Sequence, residues 1–204
     1  MVETLTLYRP VGLEEARLIV ASGCAGFPPR LPEQPFFYPV LNADYARQIA
    51  RDWNTRDAGS GHVGFVTVFD VEAAHVARHP VRTVGGRQHQ ELWIPAGELA
   101  DFNARLVGPV RFTEVWYGPD FEGFDTLPAL MEEVSTGEDG RDADLPLQAL
   151  VRDLPDAVLV NLGWWERVPA QALDLDEPRR TALLHRLRAA WARVNPTWPL
   201  PAAA

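Results

Sequence analysis

The chain has 204 residues, of which 47% are hydrophobic and 23% charged, a composition that builds a core and is too apolar for a disordered chain. Its formal net charge of −9 argues against broad nucleic-acid binding through charge alone. The one cysteine, Cys24, excludes an internal disulfide and a Cys-rich zinc site, and no apolar run approaches the roughly 18 residues of a membrane span.

Taken in chain order, residues 4–9 alternate polar and apolar and read as a short strand ended by Pro10. Residues 13–21 carry apolar side chains at helical spacing, stopped by Gly23. Residues 23–35 form a proline-rich loop that neither a helix nor an internal strand accommodates. Residues 36–40 read as an aromatic strand. Asn42 then caps a helix to Trp53 with Tyr45, Ala46, Ile49, Ala50 and Trp53 on its buried stripe. Residues 57–61 are a loop, and 63–71 a strongly apolar strand. Further strands are expected at 81–84, 90–95 and 107–117, with a short helix at 97–105. Later strands segregated in this way predict an α+β fold rather than a doubly wound parallel sheet.

The remainder is different in character. Residues 1–117 carry 11 Arg against 13 acidic residues, a net of −2, whereas 118–204 carry 8 Arg against 15, a net of −7. After a loop at 118–126, residues 127–134 read as helical, 135–144 as a polar linker and 145–154 as a helix. Residues 155–173 leave strand and helix both open. Residues 178–194 are the clearest helix, with a proline at the start and one apolar face. The expected division is a core at 1–117 and an acidic, mainly helical extension at 118–204 that packs on it.

Chemistry-bearing motifs are sparse. There is no Walker loop, no G-x-G-x-x-G, no H-E-x-x-H and no G-x-S-x-G. Every basic residue is Arg, which excludes lysine-based catalysis. His75 and His79 share helical spacing without a third ligand at fitting distance, so no metal is expected. Cys24 reads as a small buried hydrophobe. Three places remain: Tyr8-Arg9-Pro10, with an Arg at the end of the first strand; Phe36-Phe37-Tyr38, followed by a capped helix; and Gln88 to Pro95, with Glu91 at the mouth of an apolar strand. A carboxylate there must be paired or functional if it is buried.

The stretches Tyr8-Arg9-Pro10-Val11-Gly12, 27–32, 37–53 and 89–95 resemble the small bacterial proteins labelled "ADP-ribosylation/crystallin", and through them the ADP-ribosyltransferase fold. The likeness covers residues 5–117. It implies a split β-sheet core with flanking helices that binds NAD as a substrate, and cleavage of the nicotinamide–ribose bond by an ADP-ribosyltransferase or NAD glycohydrolase. Carried onto this chain, Arg9 orients NAD through phosphate or ribose, Tyr38 flanks the nicotinamide, and Glu91 is the catalytic glutamate. His89 stands where toxin-like members often carry Gln or Glu, and offers a general base for an acceptor hydroxyl. A Ser-Thr-Ser motif is absent. Arg30, held in the stiff loop, is a further candidate for a phosphate. The partners expected are NAD and a macromolecular acceptor, protein or nucleic acid, with no membrane. With no basic stretch leading an apolar block at the N-terminus, the expected location is the cytoplasm. A second reading keeps the fold without the chemistry, as an interaction module whose acidic C-terminal part docks on a partner.

Overall fold

The computed structural model describes residues 2–124, 144–173 and 175–203. The chain forms two compact units, one up to Phe121 and one from Glu122 to Ala203, so the division falls four residues beyond the expected one. The fold is mixed α+β with antiparallel sheets. The helix expected at 127–134 and the polar linker up to 143 lie outside the described residues.

In the first unit the elements are β1 (Thr4–Val11), α1 (Leu13–Ala21), β2 (Phe36–Phe37), α2 (Ala43–Asp52), β3 (Val63–Glu72), α3 (Ala73–Val76), β4 (Val81–Thr83), β5 (Gln90–Leu92), β6 (Ile94–Pro95), α4 (Leu99–Asn103) and β7 (Arg111–Tyr117). β3 is central. It pairs antiparallel with β1 on one side and β7 on the other. Its near-continuous apolar run is buried along most of its length, because helices or loops cover both of its faces. The strand expected at 107–117 starts only at Arg111, since Gly108 has φ +83°, a conformation outside the β region.

β1 has a second neighbour. Tyr8 and Val40 exchange backbone hydrogen bonds of 2.9 and 2.8 Å, and Val40 in turn stands opposite Glu91. β2 and β6 continue the same antiparallel register, Phe36 with Pro95 and Phe37 with Ile94. The expected strand at 36–40 is therefore present as an interrupted one: Pro39 has no N–H to give, yet its carbonyl accepts from Leu92 N–H at 2.9 Å. β4 closes the edge as a hairpin with β5.

The period of two along each strand separates two layers. Leu7, Arg9 and Val11 point to one face, with Phe65, Thr67 and Phe69 opposite them on β3. There Phe27, from the proline-rich loop, packs 4.7 Å from Phe37 and 4.8 Å from Phe69, and Phe37 lies 5.5 Å from Phe102 of α4. Cys24 is buried, and burial pushes its thiol up to about 12. The other face carries α2: Tyr45, Ala46 and Ala50 pack with Val40 and Val66 and against Tyr8 and Trp116. Asn42 starts that helix by accepting from Tyr45 N–H at 2.8 Å, but Trp53, expected on the buried stripe, is the C-terminal cap residue and is 54% exposed.

The second unit holds α5 (Leu145–Asp153), α6 (Pro155–Trp165) and α7 (Glu177–Val194), followed by a short extended segment, Ala202–Ala203. The open stretch 155–173 resolves into α6 and a 3-10 turn, Ala170–Leu173. α6 is buried on nearly every side, so its apolar residues draw no stripe and periodicity has nothing to detect. Asp176 caps α7 by accepting from Arg179 N–H at 2.9 Å.

α2 approaches β3 so closely that a side chain at Gly64 would put its Cβ 2.1 Å from the Ala50 carbonyl oxygen. Gly64→Ala is expected to destabilise the first unit by about 1–3 kcal/mol or more, measured as a fall in the urea midpoint. Gly97→Ala, which meets no atom within 4 Å, should stay within about 0.5 kcal/mol of the parent.

Candidate functional site

The sequence-derived candidates gather into two groups on opposite faces of the first unit's sheet. The first is built around Glu15, in the opening turn of α1. Arg9 reaches it from β1 with a two-pronged contact, Nε to Oε1 at 2.7 Å and Nη2 to Oε2 at 2.9 Å. Its Nη1 donates to the Tyr38 carbonyl at 3.1 Å, and the guanidinium lies 4.7 Å from the centroid of the Phe37 ring. Arg30 adds a second cation, Nη1 to Glu15 Oε1 at 3.3 Å.

This cluster is largely dry. The Arg9 and Arg30 side chains are each 9% exposed, and Glu15 is 18% exposed. Burial alone would push the Glu15 carboxyl up. The charge and hydrogen bonds of Arg9, then those of Arg30, reverse this and hold it below the ordinary range. Burial, then the charge of Arg9, draws the Arg30 guanidinium down against the pull of Glu15. Two cations thus share one anion. Arg30 lines a cleft of about 390 Å³ together with Gly12, Glu15, Gln34, Asp57 and Ser60.

The second group lies on the α2 face. Glu91 Oε1 accepts from the Tyr45 hydroxyl at 2.8 Å, and Oε2 from Trp93 Nε1–H at 3.0 Å. The hydrogen bond to Glu91 joins burial in pushing the Tyr45 phenol up. Tyr38 stands opposite Trp93 by the shared register, and the two rings meet edge to face at 5.5 Å and 88°. Arg82, opposite Glu91 in the β4–β5 hairpin, sets its guanidinium 4.3 Å from the Trp93 ring centroid. His89 stacks on Tyr45 with centroids 4.2 Å apart. Its Nε2 lies 3.0 Å from Gln48 Oε1, and its Nδ1 lies 3.2 Å from the Val84 carbonyl.

The resemblance implied that Arg9, Tyr38 and Glu91 border one crevice. The structure brings Tyr38, His89 and Glu91 together and sets Arg9 with Arg30 elsewhere. Tyr8, Val40 and Glu91 oppose one another across three strands, so Arg9, one residue on from Tyr8, projects to the other face. The Arg9 Nε and both Nη groups also donate to protein acceptors, so Arg9 is committed to tying β1 to α1. His89 stacks on Tyr45, with Gln48 Oε1 and the Val84 carbonyl within hydrogen-bond distance of its two ring nitrogens. Tyr38 touches both groups, its ring on Trp93 and its carbonyl on Arg9.

Glu15, Tyr45, Trp93 and Arg82 are site residues that motif reading passed over. For two of them a signal exists. Trp93 follows Glu91 by two residues on a strand, which puts both on one face. Tyr45 is the third residue after an Asn cap, on the first turn of the helix. Glu15 and Arg82 give no such sign, because their partners come from other elements. Among the described residues, no group of three or more His, Cys, Asp or Glu side chains is arranged to hold a metal ion. Comparison with protein-family models, with curated proteins and with solved structures found no match to this chain.

Glu15 is depressed below its ordinary value of 4.5. The stability it contributes is therefore fully present above that pH and is lost as pH falls through its folded pKa. Glu15→Gln, which strands two buried guanidiniums, should cost about 3–5 kcal/mol near neutrality. It should also flatten the acid side of the stability profile, as read from urea unfolding between neutral and acid pH.

Proposed function

We propose that the first unit cleaves the nicotinamide–ribose bond of NAD on its α2 face, transferring ADP-ribose to a macromolecular acceptor or to water. The observation that carries this reading is the Glu91 carboxylate. Both of its oxygens are held by neutral donors, Tyr45 and Trp93, so it is fixed in direction by hydrogen bonds rather than by an ion pair.

Cleavage of the bond develops positive charge at the ribose carbon. A carboxylate already oriented toward that charge stabilises the transition state more than the ground state. Removing one preorganised contact of this kind costs about 3–4 kcal/mol of barrier. The edge-to-face pair Tyr38 and Trp93 offers aromatic surface to the flat nicotinamide. His89, stacked on Tyr45, positions the phenol that in turn orients Glu91. Arg82, exposed and on the Glu91 side of the hairpin, takes the phosphate-binding role in place of Arg9.

Incubation with NAD should release nicotinamide. Glu91→Gln is expected to lower kcat by about 100- to 1,000-fold, while Glu98→Gln leaves it unchanged. Arg82→Ala should raise KM with little effect on kcat. No nicotinamide release, together with no NAD binding by calorimetry, rejects the proposal.

A further inference from the structure

Two histidines in and just after α3 take no part in the Glu91 chemistry. His75 is 4% exposed, and the His79 side chain 7%. Their rings lie 5.5 Å apart, and the His75 ring meets Phe102 of α4 at 5.8 Å. The Nε2 atoms of both are sealed from solvent and have no hydrogen-bond partner. A neutral imidazole in that position forfeits one hydrogen bond, whereas an imidazolium also holds its charge away from water. The packing around His75 therefore favours the neutral ring.

The charges nearby do not reverse this. Asp101 of α4 comes to 3.7 Å from His75 Nδ1, beyond hydrogen-bond length. Its side chain is 46% exposed and shares its charge with Arg78 at 3.8 Å and Arg105 at 3.6 Å. Glu98 lies 3.8 Å from His79 Nε2. Two strands pack on α3. β1 follows the exposed Glu3, and β3 ends in Glu72, which faces Arg105 at 3.6 Å. Asp70 of β3 is taken by Thr6 and Arg111. Burial first, then the charge of Arg78, pulls the His75 ring below its ordinary value of 6.5 against the attraction of Asp101, and His79 and Arg105 pull the same way as Arg78.

β4 depends on this turn. The strand begins two residues after His79, past Pro80, and is exposed throughout. Among the described residues it pairs with β5 alone. The turn that delivers it is closed by backbone bonds from Ala77 N–H to Ala73, Arg78 N–H to His75 and His79 N–H to Val76, at 3.0, 3.2 and 2.9 Å. We propose that His75 is the proton sensor of a latch: neutral, it stays packed on Phe102 and keeps the 73–79 turn closed; in acid it ionises in water, which opens the turn and loosens β4 from β5. The open form binds the proton more readily than the closed one. Closure is therefore at full strength above about pH 6.5 and weakens as pH falls from there toward the folded value. Because β4 carries Arg82, the latch governs that side chain whether or not the Glu91 face acts on NAD.

Amide hydrogen exchange of the full-length chain, corrected for the intrinsic pH dependence, tests the latch. Protection at Ala77, Arg78 and His79 should fall about three- to tenfold between about pH 7.5 and about pH 5.5. Val84 N–H, which donates to the His89 carbonyl, should follow. Tyr8 N–H, bonded to Val40 at 2.9 Å, should keep its protection. His75→Phe retains a ring beside Phe102 without a titrating group and should abolish the response, whereas His185→Gln, in the second unit, should leave it unchanged. Equal protection at the two pH values overturns the latch, and so does a fall that Tyr8 shares, which marks global unfolding. A His75 ring that titrates at or above about 6.5 by NMR overturns it as well, and that reading needs no variant to fold. A response that persists in His75→Phe places the sensor elsewhere and has the same consequence.

Discussion

The register that joins Tyr8, Val40 and Glu91 across three strands governs the first unit. In an antiparallel ladder, directly opposed residues share a face and their chain neighbours share the other. Once Val40 is placed between β1 and β5, every side chain on these strands is assigned to the α1 layer or the α2 layer. A slip of one residue would exchange the layers, exposing Leu7 and Phe37 and burying Glu91. Two apolar layers that must both be filled hold the register against that slip. The Phe27, Phe37, Phe69 and Phe102 rings fill one, and the α2 stripe fills the other.

The two layers handle charge in different ways. On the α1 side, Arg9 and Arg30 are withdrawn from water and share one carboxylate. Such a cluster owes its persistence to hydrogen-bond geometry rather than to any large net gain, because desolvation offsets most of the attraction between the ions. On the α2 side, Glu91 is partly exposed and hydrogen-bonded by neutral groups only. Hydrogen bonds from a phenol and an indole fix the direction of this carboxylate without an ion pair.

Tyr38 joins the two layers. Its carbonyl takes the third donor of Arg9, and its ring meets Trp93. Placed beside Pro39 in the interrupted strand, it has a backbone conformation set partly by its neighbour. The proline-rich loop before it places Arg30 in a similar way, since Pro28, Pro29 and Pro32 leave little freedom on either side. The buried chemistry of the first unit thus rests on rigid loop segments as much as on regular strands.

Local features of the chain were decided by the sequence alone. The apolar run of β3, the Asn42 cap and stripe of α2, the proline-started α7 and the α+β order all follow from periodicity, capping and turn chemistry between near neighbours. Periodicity found α6 unreadable because burial on every side removes the polar face that a pattern requires. The site was legible only in its members. Arg9, Arg30, Tyr38, His89 and Glu91 stand out by residue type, but nothing in their spacing says which of them meet. Tertiary structure made that decision through the Val40 pairing and the reach of Arg9 to Glu15. It set Arg9 with Arg30 on one face and Glu91 with Tyr45 and Trp93 on the other, because strand register between distant segments is fixed by packing of whole layers and not by any local signal.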